Sequence, residues 1–279
     1  MKGVYMPGRR TRREVGEVVP VPQQTETVMP ETQQGDTLDF TKNEANSFSF
    51  VKADGTPVAR VRVLLGWEGN VDLDVSCFLV NRAGECNEDN FVFYNSNHKI
   101  QATDKDGKPL IRIVTTEYEE PWGEIKTKQE EEEVYYRCSK CHSVVHKGDV
   151  LTGGGDNEEI FVNLDNFPHT GAPEDIVKIR FVLTIYKKPQ AQQKTFANVS
   201  KVQVAVYDVT DRNNQNELRS FVIPTTTDEY RDKYSMNVGA IVFDGDLQQW
   251  SYESYEKAEQ RTLPEYAKEY NIVQRREIR

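Results

Sequence analysis

Leu64 to Asn81 reads LLGWEGNVDLDVSCFLVN. Val71, Leu73, Val75, Cys77 and Leu79 alternate with Asp72, Asp74 and Ser76, the period-two pattern of a strand with one apolar face. Asp72 and Asp74 therefore point the same way, roughly 6–7 Å apart along the strand. Like charges at that spacing call for something positive beside them. Further on, Lys147 to Leu164 reads KGDVLTGGGDNEEIFVNL. It adds Asp149, Asp156, Glu158 and Glu159 around a Gly153-Gly154-Gly155 run that lets the backbone fold back on itself. Oxygen donors at this density suit a hard cation, calcium before magnesium. Taken singly, each piece also reads as a solvated strand face or an ordinary turn.

Outward from this stretch the pattern stays that of sheet. In VARVRVLLGW, Val61, Val63 and Leu65 fall inward while Arg60 and Arg62 fall outward. TLDFTK and SFSFVK alternate before it, with Asp54-Gly55 as a hairpin-type turn. IVKIRFVLTIY and KVQVAVYDV follow later, separated by Gly, Asn, Asp and Pro. Such a series predicts an all-β, two-sheet antiparallel sandwich over residues 36–252.

Three segments fall outside that pattern. Residues 1–35 carry Pro7, Pro20, Pro22 and Pro30 and no apolar periodicity, and read as a disordered arm. The arm begins basic, with Lys2, Arg9, Arg10, Arg12 and Arg13 ahead of Glu14, so it is suited to docking on an acidic neighbour, another copy of this chain included. Residues 97–142 read as an inserted hairpin or small subdomain. Asp106-Gly107 is its turn, Leu110, Ile111, Ile113 and Val114 form a strand, and an acidic run spans Glu130 to Glu133. Residues 253–279 read as a helical tail. SYESYEKAEQ is helix-compatible, and Thr262-Leu263-Pro264-Glu265 makes a capping box ahead of a helix whose Tyr266, Tyr270 and Val273 share a face packed on its own domain.

Composition narrows the function. A net charge of −10 over 279 residues argues against a general nucleic-acid binder, which needs clustered cations. No apolar run approaches the roughly 18–20 residues that span a bilayer, and the first residues lack the apolar centre of a secretory signal. The expected location is cytoplasmic, or a virion if the chain is phage-encoded. Serine elbows, phosphate-cradling loops and HExxH are missing from the sequence, so no enzyme is expected. Cys77 reads as a buried small hydrophobe. Cys138-Ser-Lys-Cys141 leaves three readings open: a zinc site completed by Cys86, His98 or His146, a redox-labile pair, or plain thiols. His146 reads as structural.

The ordered motifs resemble the TerD family of tellurium-resistance and stress-response proteins. LGWEGNVDLDVSCFL is similar to the family's opening strand pair, and NEDNFVFYNS to its FVFYN signature. SVVHKGDVLTGGGDNEEIFVNLDNFP is similar to its histidine turn and acidic loop, and IVKIRFVLTIY, KTFANVSKVQVAVYDV, NELRSFVIP and GAIVFDGDLQQWSY follow in family order. The resemblance implies a non-enzymatic calcium-binding sandwich acting through protein partners or self-assembly in stress response or tellurite resistance. Its implied calcium ligands are Asp72, Asp74, Asn95, Asp149, Asp156, Glu158 and Glu159. The chain departs from the family where Gly148-Asp149-Val150 replaces Gly-Asp-Asn, where the acidic loop is shorter, and where the glycine-rich ending is missing. The alternative role is a structural component of a larger assembly such as a phage virion, with arm, insertion and tail as connectors.

Overall fold

The computed structural model describes residues 14–17, 46–69, 71–104, 106–120, 122–148, 157–187, 192–211, 214–223 and 225–272. They divide into two compact units: residues 101–135 with the strand Glu14–Glu17, and residues 46–100 with 136–272.

The larger unit is an antiparallel sandwich. Its strands, numbered in chain order with Glu14–Glu17 as β1, begin with β2 (Asn46–Ser49), β3 (Arg60–Gly69), β4 (Leu73–Asn81), β5 (Phe91–Val92) and β6 (His98–Gln101). In the smaller unit lie β7 (Ile111–Glu119) and β8 (Ile125–Glu133). The sandwich resumes with β9 (Tyr135–Cys138), β10 (Val144–His146), β11 (Asn157–Asn163), β12 (Ile176–Ile185) and β13 (Val199–Asp211), then β14 (Asn214–Ile223), β15 (Ser235–Asp244) and β16 (Gln249–Glu259). Among the described residues one sheet has the order β14-β13-β3-β11-β10-β9-β6 and the facing sheet β2-β16-β15-β12-β4-β5.

The alternation in β3 builds the interface between the sheets. Val61, Val63 and Leu65 are buried while Arg60 and Arg62 are only half-buried. They meet Ile160 and Val162 of β11, Val202, Val204 and Val206 of β13, and Leu73, Val75, Cys77 and Leu79 of β4 in one apolar core. The DG turn behaves as read: Asp54 Oδ1 accepts the Thr56 N–H at 2.9 Å, and Gly55 takes φ +84°.

β4 is buried on both faces, because its outward side is also covered. There Phe78 and Val80 pack with Phe91, Phe93, Val182 and the short helix α1 (Leu263–Glu269) through Leu263, Tyr266 and Ala267. The capping box holds as read, with Glu265 accepting the Thr262 N–H at 2.7 Å. Arg180 Nη1 fastens the helix to the sheet through Glu269 at 2.6 Å.

Two expectations are corrected here. SYESYEKAEQ is not helical: it belongs to β16, paired with β15 from Ser235↔Glu259 to Asp244↔Gln249. Trp250, Tyr252 and Ser254 are buried in period two, so cross-strand pairing overrides the helix-compatible composition. The helical tail is thereby shortened to Leu263–Glu269, and Val273 lies outside the described residues. Within the arm, Glu14–Glu17 is not disordered but adds to β7 from Glu14↔Thr116 to Glu17↔Ile113. The remainder of residues 1–45, TLDFTK included, lies outside the described residues.

β15 carries a bulge at Gly239, where the register shifts against both neighbouring strands. The Tyr252 side chain lies against it and donates from its hydroxyl to the Val238 carbonyl at 3.2 Å. A Cβ at Gly239 would stand 2.5 Å from both that hydroxyl oxygen and the Glu253 carbonyl, and φ is +156°.

In the smaller unit, β7 and β8 pair from Ile111↔Glu133 to Glu119↔Ile125, and the acidic run Glu130–133 lies on β8. Arg112 answers Glu132 across the ladder at 3.1 Å. No helix among the described residues is long and apolar enough to cross a membrane.

Candidate metal centre

β11 presents its side chains alternately to the two faces of the sheet. Glu158 follows Ile160 and Val162 into the core, whereas Glu159 turns outward with Phe161. Glu158 is 1% exposed, and its Oε2 accepts the N–H of Val75 at 2.6 Å. This bond spans the two sheets, from β11 to β4, and the peptide it reaches is the one joining Asp74 to Val75. Asp74 is itself 4% exposed. Asp72 is half-buried just before β4, and its carbonyl accepts the Tyr186 N–H at 2.8 Å. The two distant acidic stretches therefore meet at one end of the sandwich.

His146, opposite Ile160 on β10, stands next to them. Its Nδ1 accepts the Gly148 N–H at 3.2 Å, so the ring proton sits on Nε2, which is 3.7 Å from Glu158 Oε2. Burial drives the imidazole down to about 4, a Val75 backbone contact opposing in part. At neutral pH this histidine is therefore uncharged and gives the carboxylates no compensating cation. The sequence marks it as structural, and its Nε2 stands 3.7 Å from Glu158 Oε2, beyond hydrogen-bond distance.

The remaining expected ligands separate into three groups. Asp149 and Asp156 lie outside the described residues. Asn95 is exposed in the turn after β5, which runs antiparallel to β4 from Phe78↔Phe91 to Cys77↔Val92 and so carries the chain back towards the Asp74 end. Glu159 does not converge on Glu158. Strand alternation sends it to the opposite face, where Lys147 Nζ meets it at 3.0 Å. Among the described residues no three His, Cys, Asp or Glu side chains form a metal-like cluster.

The donor set fits a hard divalent ion: buried carboxylate oxygens at the mouth of a sandwich, with no thiolate beside them except Cys77, whose proton is held tightly by burial and by the charge of Glu158. Burying carboxylates in low dielectric is costly, and a divalent cation at that end of the strands would offset the cost.

Among the described residues Cys138 and Cys141 are not joined by a third His, Cys, Asp or Glu in a metal-like group. Cys138 is buried at the end of β9 and Cys141 is exposed, and all four cysteines are free thiols. The three expected helpers are engaged elsewhere. His98 Nε2 meets Asp89 at 2.8 Å, the Cys86 thiol donates to the Asn90 carbonyl at 3.5 Å, and His146 faces Glu158. Burial raises Cys138, with Cys141 adding to it, and burial pushes Cys86 up to about 12.

Comparison with known proteins bears on the same segment. The TerD domain matches residues 123–270, more than half of the chain. General stress protein 16U of Bacillus subtilis (strain 168) is 31% identical over 172 residues, covering 58% of this chain and 64% of that protein. Stress response protein SCP2 of the same organism is 30% identical over 116 residues, covering 41% of this chain and 51% of that protein. The chain thus spans between half and two thirds of the lengths of these relatives. The crystal structure of unknown function protein SAV2460 aligns with a TM-score of 0.42 at 12% identity, over 75% of this chain and 95% of that one.

Proposed function

The chain belongs to the TerD family, and from that premise we propose that it is a calcium-binding sandwich module of a stress response, acting by binding other proteins and not by catalysis. The observation that carries the reading is the Glu158–Val75 bond, which draws a buried carboxylate from one sheet against the Asp74 peptide of the other. In this reading Asp72, Asp74 and Glu158 hold the ion, with Asp149 and Asp156 of the intervening loop completing the oxygen set. Bound calcium would supply positive charge and a fixed anchor for the loop between Gly148 and Asn157. Glu158 keeps its orientation from the Val75 N–H, so the chain pre-positions one ligand on rigid strands. The positive charge placed there would then mark that end of the sandwich for a partner. The names of the two Bacillus relatives support the stress-response setting.

Titration calorimetry with Ca²⁺ tests the reading. Saturable heat, a raised melting temperature and competition by a chelator are expected. No heat and no thermal shift in the full chain would overturn it.

A further inference from the structure

β3 and β11 run between two ends of the sandwich, and Glu158 stands at one of them. Near the other end, in the same seven-stranded sheet, a cavity of about 390 Å³ is lined by Arg60, Ser143, Phe161, Asn163, Val209 and Gln215, among others. That volume is in the range of small-molecule sites. The lining brings together strands far apart in sequence: Asn163 is opposite Arg60, and Val209 follows Asp208, which is opposite Val61.

Its polar groups are unusual for a chance surface depression. Ser143 is 1% exposed, yet its Oγ has no hydrogen-bond partner. Asn163 Oδ1 is likewise buried and unpartnered. Buried hydroxyl and amide oxygens are nearly always satisfied, so two orphans within residues that line one cavity point to a ligand that meets them once those side chains turn. Arg60 adds a half-buried guanidinium, and among the described residues no carboxylate pairs with it. The turn that delivers Ser143 is held in a costly conformation, with His142 at φ +58°. The apolar part of the wall is Phe161 with Val209, continuous with Leu64, Ala205 and Tyr207 on the outer side of the sheet.

We propose that this cavity binds a small planar carboxylic acid that also carries a hydrogen-bond donor. The carboxylate sits on the Arg60 fork, the flat body lies on Phe161 and Val209, and the donor meets Asn163 Oδ1 or the Ser143 hydroxyl once that side chain turns outward. Among the described residues that line it there is one guanidinium and no helix N-terminus or glycine nest, which suits a monoanion and not a phosphate dianion. The site is separate from the calcium reading and stands without it.

The test is a fluorescence and calorimetric titration of the full chain with hydroxynaphthoate, with naphthoate, naphthol and naphthyl phosphate as comparators. Hydroxynaphthoate is expected to bind at one site, and naphthol, lacking the carboxylate, about tenfold or more weakly. Naphthoate should fall between them. Arg60→Gln should weaken hydroxynaphthoate by about tenfold and bring it level with naphthol. Gln215→Trp, at an exposed rim position, should block binding while leaving the melting temperature unchanged, and it decides the matter if Arg60→Gln fails to fold. Binding should be the same in calcium and in chelator. No saturable binding, equal binding of naphthol, tighter binding of naphthyl phosphate, or full binding by both variants would each overturn the proposal.

Discussion

Replacing Glu158 by Gln should leave the calcium-free protein almost as stable as wild type while removing its response to calcium. The glutamine keeps an oxygen for the Val75 N–H, but a charge-assisted bond of about 1.5–3 kcal/mol becomes a neutral one of about 0.5–1.5 kcal/mol. The loss is about 1 kcal/mol. Against it stands the removal of a charge that is only 1% exposed, whose effective desolvation penalty in a protein is several kcal/mol. The calcium-free variant should therefore lie within about 1 kcal/mol of wild type on either side. With calcium at about a hundred times its dissociation constant, wild type gains about 2.7 kcal/mol. For a fold of this size that is a melting-temperature rise of about 5–11 °C, and the variant should show none. Glu158→Ala is the contrast, since it strands the Val75 N–H and should cost about 1–3 kcal/mol even without calcium. Urea unfolding with and without chelator measures all of these. A Glu158→Gln variant that keeps the calcium shift would refute the assignment of this carboxylate as a ligand.

Gly239→Ala should cost about 3 kcal/mol or more, because positive φ and a contact with the rigid Glu253 carbonyl act together; Tyr252→Phe in the same chain should recover only the part due to the hydroxyl, as a double-mutant cycle in urea would show. At pH 8 a thiol reagent should label Cys141 quickly and the three buried cysteines only on unfolding, which mass spectrometry of native and denatured protein will count. Burial opposes ionisation of Asp208, but hydrogen bonds from Thr210 and the Lys52 ammonium outweigh it and hold its carboxyl below 3.8. A depressed carboxyl contributes stability above its unfolded value and loses it as pH falls through the folded one, so wild type should lose more stability than Asp208→Asn below about pH 4. Leu263→Ala should destabilise by about 2–5 kcal/mol by opening the contact between α1 and β4, read as a lower urea midpoint.

How far the sequence speaks differs from residue to residue. The alternation of valines and arginines in β3 is visible because every second side chain enters one core, and the apolar set of β4 is visible for the same reason. The full burial of β4 is not, since what covers Phe78 is a helix that arrives nearly two hundred residues later. β16 misleads by composition: Glu, Lys and Ala favour helix locally, while its partners β15 and β2 are supplied only by the tertiary fold. The parting of Glu158 from Glu159 was open to a stricter reading of period two through Asn157–Asn163, with Ile160 and Val162 marking the inward side. The cavity at Arg60 leaves no trace in the sequence, because Arg60, Ser143, Asn163 and Val209 come from four separate segments.

β6 and β9 are neighbours in the seven-stranded sheet, and the Ala102 N–H bonds to the Val134 carbonyl, so the ends of the intervening segment are already tied together. Residues 102–134 are on this account an exchangeable cassette. A reporter spliced into that place is expected to travel with the sandwich as a passenger while its strand pairing stays as it is.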